Sequence, residues 1–213
     1  MYTHDELHRL LHSTTAYRKQ HRQLEPHTLR TIVLLLYGAG LRVSEATSLT
    51  LGDVDVPEAL MTIRNTKFNK TRVVPLGPDL QQVMASYLTQ RHAAGHAQSP
   101  QAPFFVVRRG TPVSIQLVQQ TFRCLCEYAG VRRTDGARYQ PRLHDLRHSF
   151  AVHRLTTWYQ QGADVQHLLP CLSTYLGHVN IAATQVYLTM TPELLEEASR
   201  RFAQYAFAEV RHD

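Results

Sequence analysis

Apolar residues recur at three- and four-residue intervals through most of this chain, so helices must form the bulk of its fold. Leu7, Leu10 and Leu11 share one face behind the start signals Thr3 and Asp5, which predicts a helix over Asp5–Leu11. Pro26 opens a second helix, with Leu29, Ile32, Val33 and Leu36 as its buried stripe. Gly38 and Gly40 interrupt it, Leu41–Ala46 restarts as a short helix, and Gly52–Asp55 reads as a turn. Pro78–Gln90 is helical with Leu80, Val83, Met84, Tyr87 and Leu88 inward, and Ala93–Pro103 is a loop. From Ser114 the helical period runs almost to the end, through Ser114–Tyr128, His144–Gln160, Asp164–Tyr175, Ile181–Thr189 and Pro192–Val210.

Only three stretches read as strands. Leu60–Arg64 and Arg72–Leu76, joined by the polar Asn65–Thr71 connection, predict a hairpin, with Pro75 suited to a strand end or an edge. Phe104–Val107 reads as a third strand, turning at Arg109–Pro112. The expected fold class is mainly α with a small three-stranded antiparallel β-sheet.

A chain of 213 residues suffices for one domain with a sizeable core, and 43% hydrophobic against 19% charged residues excludes a disordered chain. The longest apolar run, Ile32–Leu36, is far short of the roughly 18–20 residues of a membrane-spanning helix. Met1–Glu6 is polar and partly acidic, unlike a signal peptide, so the expected location is the cytoplasm and no membrane partner is expected. Cys124, Cys126 and Cys171 lack metal-binding spacing and read as small buried hydrophobes. His4, His8 and His12 share a helix face, but no carboxylate or cysteine completes a ligand set, so they read as solvent-exposed and no metal site is expected. Twenty-three Lys and Arg against seventeen acids, net charge +6, favour an anionic partner, for which nucleic acid is the commonest choice.

The decisive segment is Pro141-Arg142-Leu143-His144-Asp145-Leu146-Arg147-His148, which places His144 and Arg147 three apart at a helix start, where free N–H groups also favour an anion. Arg42 lies in Gly38-Ala39-Gly40-Leu41-Arg42-Val43-Ser44-Glu45, with a carboxylate three residues on. His178 follows Leu176-Gly177, and Tyr187 comes nine residues later. Planar arginine forks can meet charge that develops on the oxygens of a phosphodiester during in-line attack. A tyrosine is a weak nucleophile at its free pKa near 10 and needs such neighbours. No GxxxxGK[ST] run occurs, and no cofactor is expected.

This ordered set resembles the tyrosine recombinase (phage integrase) family from about residue 4 to residue 190. The resemblance implies that family's catalytic-domain fold and a site-specific recombinase or integrase that cuts and rejoins DNA through a covalent 3′-phosphotyrosine. It implies catalytic roles for Arg42, Lys67, His144, Arg147 and His178 around the nucleophile Tyr187, with Glu45 orienting Arg42. The family's hairpin lysine aligns with Lys67 in Asn65-Thr66-Lys67-Phe68-Asn69-Lys70-Thr71-Arg72, with Lys70 as the alternative; Thr66 and Phe68 replace the usual glycines. Lys70, Arg72 and Arg142 are expected to touch the DNA backbone.

The resemblance further implies double-stranded DNA as partner, a homo-tetramer on synapsed DNA, and a monomer possible without it. The whole of 1–213 is expected to be a single catalytic domain, with the N-terminal DNA-clamp domain absent and two alternatives for the tail 191–213, packing in cis or exchange into a neighbouring protomer. The Trp158–Tyr175 stretch resembles variants in transposon-borne integrases. Two other readings stay open at this point: relaxation of supercoils in the manner of type IB topoisomerases, and a DNA-binding module without catalysis.

Overall fold

Helix ends in this protein follow short-range signals that are easy to trace. The computed structural model describes residues 1–16, 24–64, 71–134, 136, 139–178, 180–189, 196, 199 and 200. The chain divides into two units, Met1–Ser149 and Phe150–Asp213.

In the first unit, α1 (His4–Ala16) begins where the Thr3 N–H donates to the Glu6 carboxylate and the Glu6 N–H donates back to the Thr3 hydroxyl. α2 (Pro26–Gly38) starts on Pro26, and α3 (Val43–Thr47) is a single short turn after Arg42. α4 (Pro78–Ala93) again starts on proline, whose missing N–H costs nothing in a first turn. α5 (Ile115–Tyr128) is capped as expected, the Ser114 hydroxyl accepting from the Leu117 N–H at 3.2 Å. α1 packs on α2 and α5, and α2 on α4, so Leu7, Leu10, Leu29, Ile32, Leu36, Met84 and Phe122 form one core. His4, His8 and His12 are exposed on the outer face of α1, as their spacing predicted.

The sheet has three antiparallel strands in the order β1 (Val54–Asp55), β2 (Leu60–Ile63) and β3 (Arg72–Pro75). Leu60 pairs with Pro75 and Ile63 with Arg72, so Pro75 closes an edge strand, where a missing donor is tolerated. The third strand is therefore not Phe104–Val107 but part of the segment read as a turn, with Val54 opposite Met61. The reason is tertiary. Phe104 and Phe105 are both fully buried, which the alternating faces of a half-exposed strand forbid, and they pack with Tyr87 at ring distances of 5.3 and 5.1 Å. The Pro103 and Phe104 carbonyls bond to side chains, and the segment makes only isolated backbone bridges, Thr50 to Pro103 and Val106 to Pro112, instead of a strand ladder. Arg91 is buried and donates to the carbonyls of Phe104 at 3.2 Å, Pro103 at 3.0 Å and Ala97 at 2.5 Å. Val83 and Leu88 on α4 are only half-buried, because α2 covers the Leu80–Met84–Tyr87 stripe.

α6 (Leu143–Gln160) contributes its first turns to the first unit and the rest to the second. In the second unit, α7 (Val165–Leu176) is capped by Asp164, whose carboxylate accepts from the His167 N–H at 3.1 Å. Leu169, Leu172, Ser173 and Leu176 form its buried stripe. Cys171 lies off that stripe and is exposed; of the three cysteines only Cys126 is buried, so the expectation fails for Cys171. α8 (Ala182–Gln185) packs on α7 and runs into a 3₁₀ turn, Val186–Thr189. The expected helix over Pro192–Val210 lies almost wholly outside the described residues. Among the described residues no helix is long and apolar enough to cross a membrane.

Candidate functional site

The arginine cluster is built from the end of α2 onward. Gly40 takes a positive φ of 60°, which turns the chain out of the helix and lets Leu41 bury while Arg42 stays extended ahead of α3. Glu45, three residues on, accepts from the Arg42 N–H at 2.9 Å, as an acidic residue at that helix position does. The same carboxylate accepts from the Arg42 guanidinium at 2.9 Å and from both terminal nitrogens of Arg72, each at 2.9 Å. Arg147 stands 3.8 Å from it and donates to the Gly40 carbonyl at 2.6 Å. One buried carboxylate thus gathers Arg42, Arg72 and Arg147.

Exposure grades these three side chains. Arg147 is 1% exposed, Arg72 11% and Arg42 30%, against 5% for Glu45. Burial alone would raise the pKa of Glu45, but hydrogen bonds from Arg72 and the Arg42 N–H, with the charges of Arg72 and Arg147, bring it down to about 2. The carboxylate is therefore ionised at any working pH, and its fork-to-fork pairing with Arg72 fixes its plane.

At the start of α6, Asp145 accepts from the Arg142 N–H at 2.9 Å and from its guanidinium at 3.0 Å. Arg142 is exposed and lies over the Tyr139 ring at 4.9 Å, a position from which it can reach solvent anions. His144 is exposed, and its ring meets that of His148 edge-on at 4.5 Å. Desolvation of the imidazole, then the charges of Arg147, Arg142 and Arg42, hold His144 below the usual histidine range, against the pull of Asp145. For so exposed a ring the guanidinium charges are the firmer cause. Desolvation, then His144 and Arg147, push His148 down to about 4. Both rings are neutral near pH 7.

In the second unit, α7 ends at Leu176, which is fully buried, and Gly177 follows with φ 69° and ψ 40°. The His178 N–H reaches back to the Ser173 carbonyl at 3.0 Å, so the left-handed glycine delivers His178 just beyond the helix. His178 Nδ1 lies 2.7 Å from the Thr184 hydroxyl, and its ring stacks on Tyr187 at 6.0 Å. Thr184 and Tyr187, three apart, are both buried.

The expected site residues thus fall into two groups, each described within its own unit. Arg42, Glu45, Arg72, His144, Arg147 and Arg142 stand in the first unit, with Arg42, Arg72 and Arg147 around the Glu45 carboxylate; His178 and Tyr187 stand together in the second. Lys67 and Lys70 lie outside the described residues. Sequence reasoning missed Thr184 and the pairing of Arg72 with Glu45. The three-residue step from Thr184 to Tyr187 was a visible signal, whereas Arg72 and Glu45 are separated by 27 positions and share no local pattern.

The model for the phage integrase family matches residues 1–193. The protein y4rB of Sinorhizobium fredii, named by inference an integrase/recombinase, is 41% identical over 205 residues, covering 94% of this chain and 64% of its own. The tyrosine recombinase XerA of Thermococcus kodakarensis is 34% identical over 203 residues, covering 93% of this chain and 61% of its own. A crystal structure of XerA recombinase superposes with a TM-score of 0.70 at 25% identity, covering 95% of this chain and 64% of that one. The chain therefore spans somewhat less than two thirds of the length of these relatives. The fold class is as expected, mainly helical with a three-stranded antiparallel sheet, and it is the fold of tyrosine recombinase catalytic domains. Sequence, fold and motif order agree: the chain belongs to the phage integrase family.

Proposed function

We propose that this chain carries the strand-cleaving and strand-joining part of a tyrosine-type site-specific recombinase or integrase that acts on double-stranded DNA in the cytoplasm. The observation that carries the reading is the convergence of Arg42 and Arg147 on Glu45 in a family member whose Tyr187 stands against His178. Tyr187 Oη attacks the scissile phosphorus, the bond to the 5′-oxygen breaks, and a 3′-phosphotyrosine forms. The tyrosine proton passes to His144, whose lowered pKa leaves it neutral and able to accept. Lys67 supplies a proton to the departing 5′-oxygen. Arg42 and Arg147, with His178, meet the charge that builds on the non-bridging oxygens, each such donor worth roughly two to three decades of rate. Attack by a 5′-hydroxyl on the phosphotyrosine reverses every step, so the bond energy is kept and no external energy source or cofactor enters.

Lys70 and Arg142 hold the DNA backbone in this scheme, Arg142 from its exposed place at the start of α6. Exchange between two duplexes needs four copies on synapsed DNA, with tail 191–213 passing between protomers. The test is trapping on a library of nicked duplexes, in which the cleaved fragment diffuses away and strands the covalent complex. A protein–DNA band on a denaturing gel, lost in Tyr187→Phe, is the expected result. A band that survives in Tyr187→Phe removes Tyr187 as nucleophile. Joined products between two different duplexes separate recombination from supercoil relaxation.

A further inference from the structure

Arg72 is the first residue of β3 and sits opposite Ile63, the last of β2, so it stands where the β2–β3 connection opens. That connection contains Lys67. The two arms at its mouth are held differently. On one arm Arg64 pairs with Asp53 at 2.5 Å, but its side chain is largely exposed. On the other, Arg72 gives both terminal nitrogens to the two oxygens of Glu45, in a site shielded from water on both sides. A bidentate fork fixes the plane of the carboxylate it grips. Arg42 makes one guanidinium contact to that same carboxylate and keeps much of its surface open.

We propose that Arg72 is a positioning residue of the cleavage centre: it acts through Glu45 to set Arg42. This rests on the functional reading above. It differs from the sequence expectation that Arg72 touches the DNA backbone, because both terminal nitrogens are turned onto a buried carboxylate. It predicts that the position requires an arginine. A lysine keeps the charge but cannot match two oxygens at once.

The experiment compares Arg72→Ala, Arg72→Lys, Glu45→Gln, the double variant Arg72→Met/Glu45→Gln and Arg142→Ala, each checked for folding by circular dichroism. Binding to a fixed nicked duplex is titrated at several salt concentrations, and single-turnover covalent trapping is followed at saturating protein. Arg72→Ala and Arg72→Lys should both slow trapping by roughly 10- to 100-fold, the scale of a reacting group misplaced by about 1 Å. Their salt slopes should match the parent's, whereas Arg142→Ala should lower the slope by about one. The double variant should be no slower than Arg72→Ala, since the two residues act as one unit. Near-parental trapping in Arg72→Lys, a slope lowered by about one in Arg72→Ala, or additive losses in the double variant would each overturn the proposal. If the parent itself forms no Tyr187-linked band, the functional reading falls, and the salt slopes still decide whether Arg72 is a backbone contact. Should Arg72→Ala fail to fold, Arg72→Lys and the charge-neutral double variant carry the same comparison.

Discussion

Around Glu45 the groups are fixed by charge: a buried carboxylate, a bidentate arginine and two further guanidiniums, anchored on α3, α6 and β3. Around His178 the described contacts are neutral: a hydroxyl at 2.7 Å, a stacked ring and a left-handed glycine cap. The first arrangement suits groups that must already be aimed when negative charge develops, because moving them during the reaction would cost the energy they supply. The second suits the nucleophile of the proposed function, since Tyr187 follows a four-residue helix in a 3₁₀ turn, elements with few bonds of their own to resist adjustment. Under the proposed function, strong fixing and soft fixing would serve different duties.

That contrast can be broken most severely at Glu45. Glu45→Ala leaves Arg72 and Arg147 without their carboxylate in a shielded site, and unfolding in urea should show a loss of about 3–5 kcal/mol. A loss below about 1 kcal/mol would mean that the cluster contributes little to the fold. Titration sharpens the same point. The folded pKa of Glu45, about 2, is depressed below the ordinary carboxylate value, so its contribution is fully present above about pH 4.5. It is lost as pH falls through the window down to about 2, amounting to roughly 3 kcal/mol. In Glu45→Gln that part of the acid limb should vanish from a stability-against-pH series, and its persistence would assign the limb to other carboxylates.

Smaller effects are expected on the neutral side. Thr184→Val deletes the hydroxyl beside His178 while keeping the shape, which should cost about 1–2 kcal/mol of stability and slow covalent trapping by about tenfold. Unchanged trapping would show that Thr184 does not orient His178. Gly177→Ala forces a Cβ into a left-handed position and should lower stability by about 1 kcal/mol in thermal denaturation, with cleavage chemistry intact. If Gly177→Ala proved as costly as Glu45→Ala, the division between strong and soft fixing would not hold.

Much of the fold was legible because its signals are short-range. Pro26, Ser114 and Asp164 each mark a helix start through one proline ring or one side-chain oxygen, and the structure uses each in that way. The stripe Leu29, Ile32, Val33 and Leu36 is buried as its period demands. Phe104–Val107 misled because a short apolar run with aromatic residues looks alike whether it pairs in a sheet or packs in a core. Arg91 decided the matter, from the same helix face as Met84 and Tyr87, by donating to three loop carbonyls.

The sequence by itself determined the helical bulk of the protein, most helix boundaries, the hairpin pair and the motif order that places it in its family. Those depend on residue type and spacing over a few positions, where local geometry leaves few alternatives. Only the tertiary structure decided which strand completes the sheet, which arginine Glu45 grips with both oxygens and which hydroxyl meets His178. Each of these is a contact between side chains that chain geometry alone leaves undetermined, chosen by where burial makes an unpaired polar group too costly.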